Sequence, residues 1–363
     1  MKQSWYRLGC GLDVSKKQFY ACIGGIKQDG FFVVRASRKF DNNSSGVEQF
    51  LEWLDTKLSK LNPQSSVPFQ IIVEPTGVYH ETLLAKCYEA DLPICQVVGQ
   101  RVKHYLHSID HISKTDRDDA KGICRMACEQ KHQQWKPCSP NIMRIRTALR
   151  HRRSLVDSKT RFANQLHALN NSKWSSRLEE ESLQRLIDEV DKEIKRTEQL
   201  ITELYQQDEV LKNRLQKIID SVYGLGLLTA LTPVAETNGF ASIRSRKQLA
   251  RYAGYDIIQD QSGQRRGRTR ISKRGNARIR AQMHMASLSV VKKKGPLQAL
   301  FLRVLSRNPN AKMKAYVAVQ RKLLLLIYTL YKKDQAYDPN YHKRLYGHAQ
   351  KQSSPHQLAG YAG

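Results

Sequence analysis

The segment that most constrains the fold of this chain is residues 141–218, which contain neither Gly nor Pro. It is rich in Arg, Lys, Glu, Gln and Leu, which favour helix. Without a helix breaker, this segment predicts long helices between two globular regions. We therefore expect four parts: residues 1–140, a helical spacer over 141–217, a mainly α-helical region over 218–345, and a polar, disordered tail over 346–363.

Within the spacer, apolar positions recur at alternating intervals of four and three residues. The positions are Leu183, Ile187, Val190, Ile194, Thr197, Ile201 and Leu204. This spacing predicts a coiled-coil seam over three heptads. The partner helix could belong to the same chain or to a second subunit, and the seam is too short to decide between them.

The first 140 residues alternate between strand-like and helix-like patterns. Strands are predicted at residues 7–14, 18–25, 30–37, 68–75 and 94–99. Helices are predicted at residues 44–61, 80–90, 100–108 and 116–131. The order βββ-α-β-α-β-α-α indicates a mixed sheet flanked by helices, in the α/β class.

Carboxylates stand where two of these strands end and where the last helix begins. Asp13 ends the first strand in "GLDVSKK", and Glu74 ends the fourth in "IIVEPTG". If the two strands are parallel neighbours, both side chains leave the same sheet edge. Asp116 and Asp119 share one helix face, whereas Asp118 points elsewhere. Each acid alone is more often a helix cap or a solvated side chain, and Asp116 in particular could cap its helix. Four together suit Mg²⁺ or Mn²⁺ acting on a phosphodiester.

The overall charge points to a polyanionic partner. The chain has 61 Lys and Arg against 33 Asp and Glu, a net charge of +28, which favours nucleic acid. The stretch 244–280 holds twelve of the cations, and "SGQRRGRTR" within it is predicted to be a flexible basic loop that contacts a nucleic-acid backbone before a helix begins. The candidate contacts are Arg265, Arg266, Arg268, Arg270, Lys273, Arg274 and Arg278.

Two further features lie in the third part of the chain. Gly224 and Gly226 stand between two apolar helical stretches and predict a helix–hairpin–helix-like turn whose N–H groups hold a phosphate, although a plain helical turn fits as well. Ser272 stands inside the basic cluster without a nearby His or Asp for a triad. A serine in such a loop most often binds phosphate or caps a helix, but cations and metal ions could also activate it as a nucleophile.

Jointly, these motifs resemble those of a known family. "GLDVSKK", "VEPTGVY" and "KTDRDDAKGI" resemble the RuvC-like (RNase H-fold) N-terminal domain of DEDD transposases, in the insertion-sequence family that also contains the Piv-type DNA invertases. "LARYAGYDIIQDQSGQRRGRTRISKRGNARIR" is similar to the C-terminal transposase domain of that family. The resemblance implies that Mg²⁺ or Mn²⁺ is bound by Asp13, Glu74, Asp116 and Asp119. It also implies that the serine before Lys-x-Gly, Ser272, attacks DNA and becomes a phosphoserine; Ser262 is the weaker candidate.

The resemblance also implies partners. It suggests a recombinase that acts on donor and target DNA, is guided by a structured bridge RNA from its own element, and assembles from dimers into a tetramer. One subunit's carboxylates would then work with another subunit's serine. Two alternatives remain open: a RuvC-like metal-dependent nuclease in which water attacks, and a nucleic-acid-binding protein without catalysis.

Composition also suggests where the protein works. No run approaches 18 apolar residues, and the N-terminus lacks the features of a signal peptide. The seven cysteines include no CxxC pair, which is typical of buried or free thiols in a reducing compartment. We expect a soluble cytoplasmic protein, without a membrane partner, that associates with the nucleoid when bound to DNA.

Overall fold

The computed structural model describes residues 5–61, 66–110, 115–137, 139–241, 243–259, 261–262, 265–267 and 269–340. The chain divides into two compact units, Met1–Pro137 and Cys138–Gly363. The predicted helical spacer falls within the second unit, so its separation as a domain stays a prediction. The polar tail over 346–363 lies outside the described residues.

The first unit alternates strands and helices in the predicted order. Its elements are β1 (Trp5–Val14), β2 (Gln18–Lys27), β3 (Phe32–Asp41), α1 (Ser44–Leu61), β4 (Phe69–Val73), α2 (Glu81–Glu89), β5 (Ile94–Gln96), α3 (Gly99–Ser108) and α4 (Asp116–Glu129). The described strands form one sheet in the order β3-β2-β1-β4-β5. The first three pair antiparallel, whereas β1, β4 and β5 run parallel.

The register of β1 and β4 aligns the two strand-end acids. Leu12 lies opposite Val73 in the parallel ladder, so Asp13 and Glu74 are the next residues along the two strands. This confirms the expected parallel neighbours. The pleat decides which way the acids face, because successive side chains of a strand alternate between the two faces of the sheet.

Helices cover both faces of this sheet. Leu12 and Val73 pack in a core with Phe50 of α1 and Leu84 of α2. Ile72, the neighbour of Val73, packs instead with residues of α3 and α4. Alternation therefore turns the side chain of Glu74 toward the face that α3 and α4 cover.

Two glycines of β1 let α4 lie directly on the sheet. A Cβ at Gly9 would overlap Ala127 and Cys128, and one at Gly11 would overlap the α4 backbone near Cys124. Asp13 is two residues after Gly11 and shares its face of the strand. Close packing of α4 on β1 therefore brings the acidic first turn of α4 toward the end of β1.

The second unit is mainly helical. Its elements are α5 (Pro140–Asn170), α6 (Arg177–Gln207), α7 (Glu209–Ser221), α8 (Leu227–Glu236), α9 (Arg246–Tyr252), β6 (Ile257–Ile258), β7 (Gln261–Ser262), β8 (Arg265–Arg266), β9 (Arg270–Ile271), α10 (Ala277–Val290), α11 (Pro296–Arg307) and α12 (Lys312–Lys333). None of the helices in the described ranges combines the length and apolar content that a membrane span needs. The six described cysteines, all in the first unit, are buried free thiols, as expected.

Helices α5 and α6 form an antiparallel hairpin. Lys159 pairs with Asp191 at 2.6 Å, and Arg152 pairs with Glu198 at 2.6 Å. Residue numbers therefore increase along α5 in the direction in which they decrease along α6. Seam residues buried within this single chain are Ile187, Thr197, Ile201 and Leu204. The hairpin therefore supplies an intramolecular partner for the seam, and pairing between subunits stays a prediction.

Short paired strands lie within the basic stretch 244–280, where the sequence predicted a flexible loop. Ile257 and Ile258 of β6 pair antiparallel with β9, and the described strands β7 and β8 pair with each other. Ile257 lies opposite Ile271, and such pairs of β-branched residues favour strand pairing. The flexibility of the loop stays a prediction. Arg268 lies outside the described residues, as do the side chains of Arg265 and Arg266.

Candidate functional site

The first turn of α4 contains Asp116, Asp118 and Asp119, and Asp118 takes part in the helix cap. Thr115 caps the helix: its Oγ1 accepts from the Asp118 N–H at 3.2 Å and donates to Asp118 Oδ2 at 2.7 Å. Lys121 Nζ donates to the other Asp118 oxygen at 2.8 Å. Asp118 thus acts in the helix start, and the cap is Thr115 rather than Asp116.

The electrostatics connect the other four acids. Burial, followed by the charges of Asp116, Asp119 and Glu74, raises the pKa of Asp13 to about 7. Burial and the charge of Asp119 also raise the pKa of Glu74. Burial and the neighbouring carboxylates therefore disfavour the ionised forms of Asp13 and Glu74.

These four acids are coupled but not gathered into a tight cluster. Within the described residues, no group of three or more His, Cys, Asp or Glu is arranged so that it could hold a metal ion. Like charges on neighbouring carboxylates repel one another. A divalent cation would remove the repulsion, and carboxylate oxygens are the ligands that Mg²⁺ and Mn²⁺ prefer. The donor set therefore fits such an ion.

Neighbouring side chains and backbone fix the position of this site. The Glu74 carboxylate lies against Gly99 at the start of α3, where a Cβ would overlap it. The positive end of the α3 dipole favours a carboxylate there. Gln70 of β4 anchors the other end of α4, because its amide donates to the Ala127 carbonyl at 2.7 Å and its oxygen accepts from the His132 N–H at 3.2 Å.

Ser272 lies in a loop that is hydrogen-bonded to the turn after α9. Its N–H donates to the Asp256 carbonyl at 2.7 Å, and its hydroxyl donates to the Gly254 carbonyl at 3.3 Å. The N–H of Lys273 also donates to Gly254, at 3.0 Å. Ser272 is half-buried, whereas Lys273 and Arg274 are exposed. No carboxylate or imidazole of the described residues forms a hydrogen bond with the Ser272 hydroxyl.

Two glycines allow the close approach of this loop to the turn. Gly254 has φ +76°, and its missing Cβ leaves room for the Lys273 backbone. A Cβ at Gly275 would overlap the Tyr252 carbonyl. Arg280 of α10 then links both segments by donating to the carbonyls of Ala253 at 2.9 Å and Gly275 at 3.1 Å.

Sequence reasoning missed a buried carboxylate behind the serine loop. Glu236 ends α8 with its side chain 1% exposed, and Arg150 of α5 donates to both its oxygens, at 2.9 and 2.8 Å. Asn276 also donates to Glu236, at 2.8 Å, while the Asn276 N–H donates to the Tyr252 carbonyl. Burial alone would raise the pKa of Glu236, but these partners hold it below its ordinary value. An acid at the end of the otherwise apolar "LLTALTPVAE" was the available signal.

The glycine hairpin joins α7 to α8. Gly224 has φ +75° and packs closely against Ser289 and Val290 of α10, so a side chain there would be strained and crowded. Gly226 caps α8, and nothing lies near its missing Cβ. Gly224 therefore has a packing role, and a phosphate contact at either glycine stays a prediction.

Comparisons with known proteins identify the family of this chain. A transposase model of the DEDD, IS110 type matches residues 10–171. A second model, described as transposase of the IS116/IS110/IS902 family, matches residues 216–302. The chain belongs to this transposase family. The two matches contain the four coupled carboxylates and the Ser272 loop respectively, so the first unit is an RNase H-like α/β domain of the DEDD type.

Relatives in the transposase family extend over most of the chain. It is 22% identical to the pilin gene-inverting protein of Moraxella bovis over 92% of this chain and 98% of the relative. It is 25% identical to the transposase for insertion sequence element IS1111A of Coxiella burnetii over 68% of this chain and 73% of the relative.

The solved structures that it resembles are more distant. A Thermus thermophilus RuvC structure matches with TM-score 0.24 and 14% identity, over 36% of this chain and 84% of that one. An Aquifex aeolicus member of the Ppx/GppA family matches with TM-score 0.23 and 9% identity, over 96% of this chain and 99% of that one. The family assignment therefore rests on the family models and the relatives.

Proposed function

We propose that this transposase recombines DNA by cleaving it with Ser272 as the nucleophile, while Asp13, Glu74, Asp116 and Asp119 bind Mg²⁺ or Mn²⁺. The observation that carries the proposal is the electrostatic coupling of these four acids at one edge of the sheet. Burial and the neighbouring acids raise the pKa of Asp13 and of Glu74, so a bound cation would favour the ionised form of both at neutral pH. The related proteins are named as a transposase and a gene-inverting protein, which supports DNA rearrangement rather than simple binding.

The acids would supply the metal-dependent part of the chemistry. A bound divalent ion stabilises negative charge on the phosphate that is attacked. The contribution of this chain is to hold its oxygen ligands by the β1–β4 register and by α4. Asp118 has no part in this set, because Thr115 and Lys121 already occupy its oxygens.

The serine would form a covalent link with DNA. Its Oγ forms a bond to the phosphorus, the bond from phosphorus to one deoxyribose oxygen breaks, and the hydroxyl proton ends on that oxygen. The phosphodiester is thus replaced by a phosphoserine ester, which retains the energy needed to rejoin the strands. In the structure the hydroxyl donates to the Gly254 carbonyl, and this bond orients Oγ before attack.

Cations around the serine would hold the phosphate. Arg270, Lys273 and Arg274 flank Ser272 and are exposed, so their side chains can bind phosphate oxygens and stabilise developing charge. Arg265, Arg266, Arg268 and Arg278 would extend these contacts along the DNA backbone, and Gly226 leaves room for a phosphate at the start of α8.

The partners are proposed from the family resemblance and the charge. A net charge of +28 is compatible with a structured bridge RNA as well as donor and target DNA. We propose dimers that assemble into a tetramer, with one subunit's acids and another's serine at each cleavage site. The protein would work in the cytoplasm, at the nucleoid. Sequencing the nucleic acid that copurifies with it tests the guide: an absence of RNA from its own element would contradict it.

A matched pair of serine variants tests the cleavage chemistry. Ser272→Ala should bind DNA normally and lose strand cleavage, measured on a plasmid that carries the ends of its element. Ser262→Ala removes the weaker candidate serine and should keep cleavage. If Ser272→Ala still cuts, the metal-dependent nuclease in which water attacks replaces the proposal.

A further inference from the structure

A basic groove lies between α5 and α10 in the second unit. Its volume is about 740 Å³, and its α5 wall includes Arg150, Arg153 and Arg161. Arg278 faces it from the first turn of α10, six residues after Ser272 in the chain. The groove therefore continues the basic surface around Ser272.

The charges of this groove are only partly compensated. Arg150 is paired with the buried Glu236, and Arg153 pairs with Asp157 at 2.8 Å. Within the described residues, neither Arg161 nor Arg278 has an ion-pair partner within 4.0 Å, although the charge of Arg278 also helps to lower the pKa of Glu236. Arg161 donates to the Ser158 hydroxyl, at 3.2 Å. The groove thus keeps a positive charge that an anion can neutralise.

The shape and lining favour an extended polyanion. Arg150 and Arg161 are separated by about 16 Å along the axis of α5. This length corresponds to roughly five base-pair steps of a duplex. Serine hydroxyls lie between the arginines on α5. On the α10 side, the small side chains of Ala277 and Ala281 leave the groove open. Among the described residues, the lining includes no aromatic side chain on which a base could stack. Arginine and serine bind phosphate oxygens without reading sequence.

We propose that this groove binds the phosphodiester backbone of a nucleic-acid strand and leads it to the serine loop. The proposal deepens the proposed function by adding a second backbone contact to the site. The ion pair of Arg150 with Glu236 holds one end of the groove, and Asn276 connects Glu236 to the loop. Backbone binding here does not depend on Ser272 being the nucleophile, so the two ideas fail separately.

The test compares two double variants of equal charge. Arg153→Gln/Arg161→Gln removes two cations from the groove. Arg177→Gln/Arg196→Gln removes two from α6, where their side chains are 88% and 71% exposed. Affinity for a DNA duplex of about 30 base pairs and for a single-stranded RNA of about 30 nucleotides is measured by fluorescence anisotropy over a range of salt concentrations.

Loss of two phosphate contacts should reduce the slope of log affinity against log salt by about 1.8 for duplex DNA or about 1.4 for a single strand. We expect that reduction in the groove variant for at least one probe, and the probe that responds identifies the strand. The α6 variant should keep the wild-type slope. Equal slopes in the two variants, or competition by poly-glutamate as strong as that by the oligonucleotide, would overturn the proposal.

Discussion

The carboxylate site makes a prediction about stability that is opposite in sign to the usual effect of a mutation. Asp13→Asn removes one of four coupled acids, so the metal-free protein should become more stable. The rise in the pKa of Asp13 from 3.8 to about 7 corresponds to at most about 4 kcal/mol. Because the carboxyl is only half-buried, solvent screening reduces the expected gain to roughly 1–2 kcal/mol. For a unit of this size that is roughly 4–8 °C in Tm.

The pH dependence of this effect has a definite sign. The folded state holds its proton on Asp13 more tightly than the unfolded state, so this group makes the protein less stable as pH rises. The loss begins above about pH 4 and is complete above about pH 7, which follow from the pKa values of the unfolded and folded states. The advantage of Asp13→Asn should therefore be small near about pH 4 and largest at about pH 8.

Thermal unfolding in EDTA at several pH values measures this directly. Asp118→Asn is the control, because Thr115 and Lys121 stabilise that carboxylate and its loss should not raise Tm. Added Mg²⁺ should raise the Tm of the wild type more than that of Asp13→Asn. If Asp13→Asn melts at or below the wild type at about pH 8 in EDTA, burial and the neighbouring acids do not destabilise the Asp13 carboxylate as argued.

Three other variants test neighbouring parts of the account. Asp116→Asn should abolish metal-dependent DNA cleavage while Asp118→Asn keeps most of it; equal losses in a plasmid assay would contradict the assignment. Glu236→Gln leaves Arg150 without its carboxylate partner. It should lower the free energy of unfolding, measured in urea, by about 2 kcal/mol, because Arg150 remains partly exposed. A change below about 0.5 kcal/mol, the effect of an ordinary surface substitution, would contradict this role of Glu236. Gly275→Ala should cost about 1–3 kcal/mol by overpacking and slow cleavage, whereas a neutral result would show that the loop can move away.

The sequence was sufficient for the architecture of the first unit. Period-two and helical patterns predicted each strand and helix, whereas the parallel pairing of β1 with β4 entered only as a condition that the structure meets. The pleat then determines the face on which Asp13 and Glu74 lie. The close packing of α4 depends on Gly9 and Gly11, whose role becomes evident only when the helix is placed on the strand.

The second unit was harder to predict from sequence. The pairing of β6 with β9 needs contacts between residues more than ten positions apart, which local patterns do not contain. The same holds for Glu236, whose partners Arg150 and Asn276 are 86 and 40 residues away. Its burial could be suspected from the apolar helix around it, but its partners could not.

The most direct test of the account is the chemical state of Ser272 after cleavage. The wild type is incubated with Mg²⁺ and DNA carrying the ends of its element, then denatured, treated with nuclease and protease, and analysed by mass spectrometry. We expect a nucleotide attached through phosphate to the peptide that contains Ser272, and no such adduct in Asp116→Asn. Free DNA ends with an unmodified Ser272 peptide in the cleaving wild type would contradict the account.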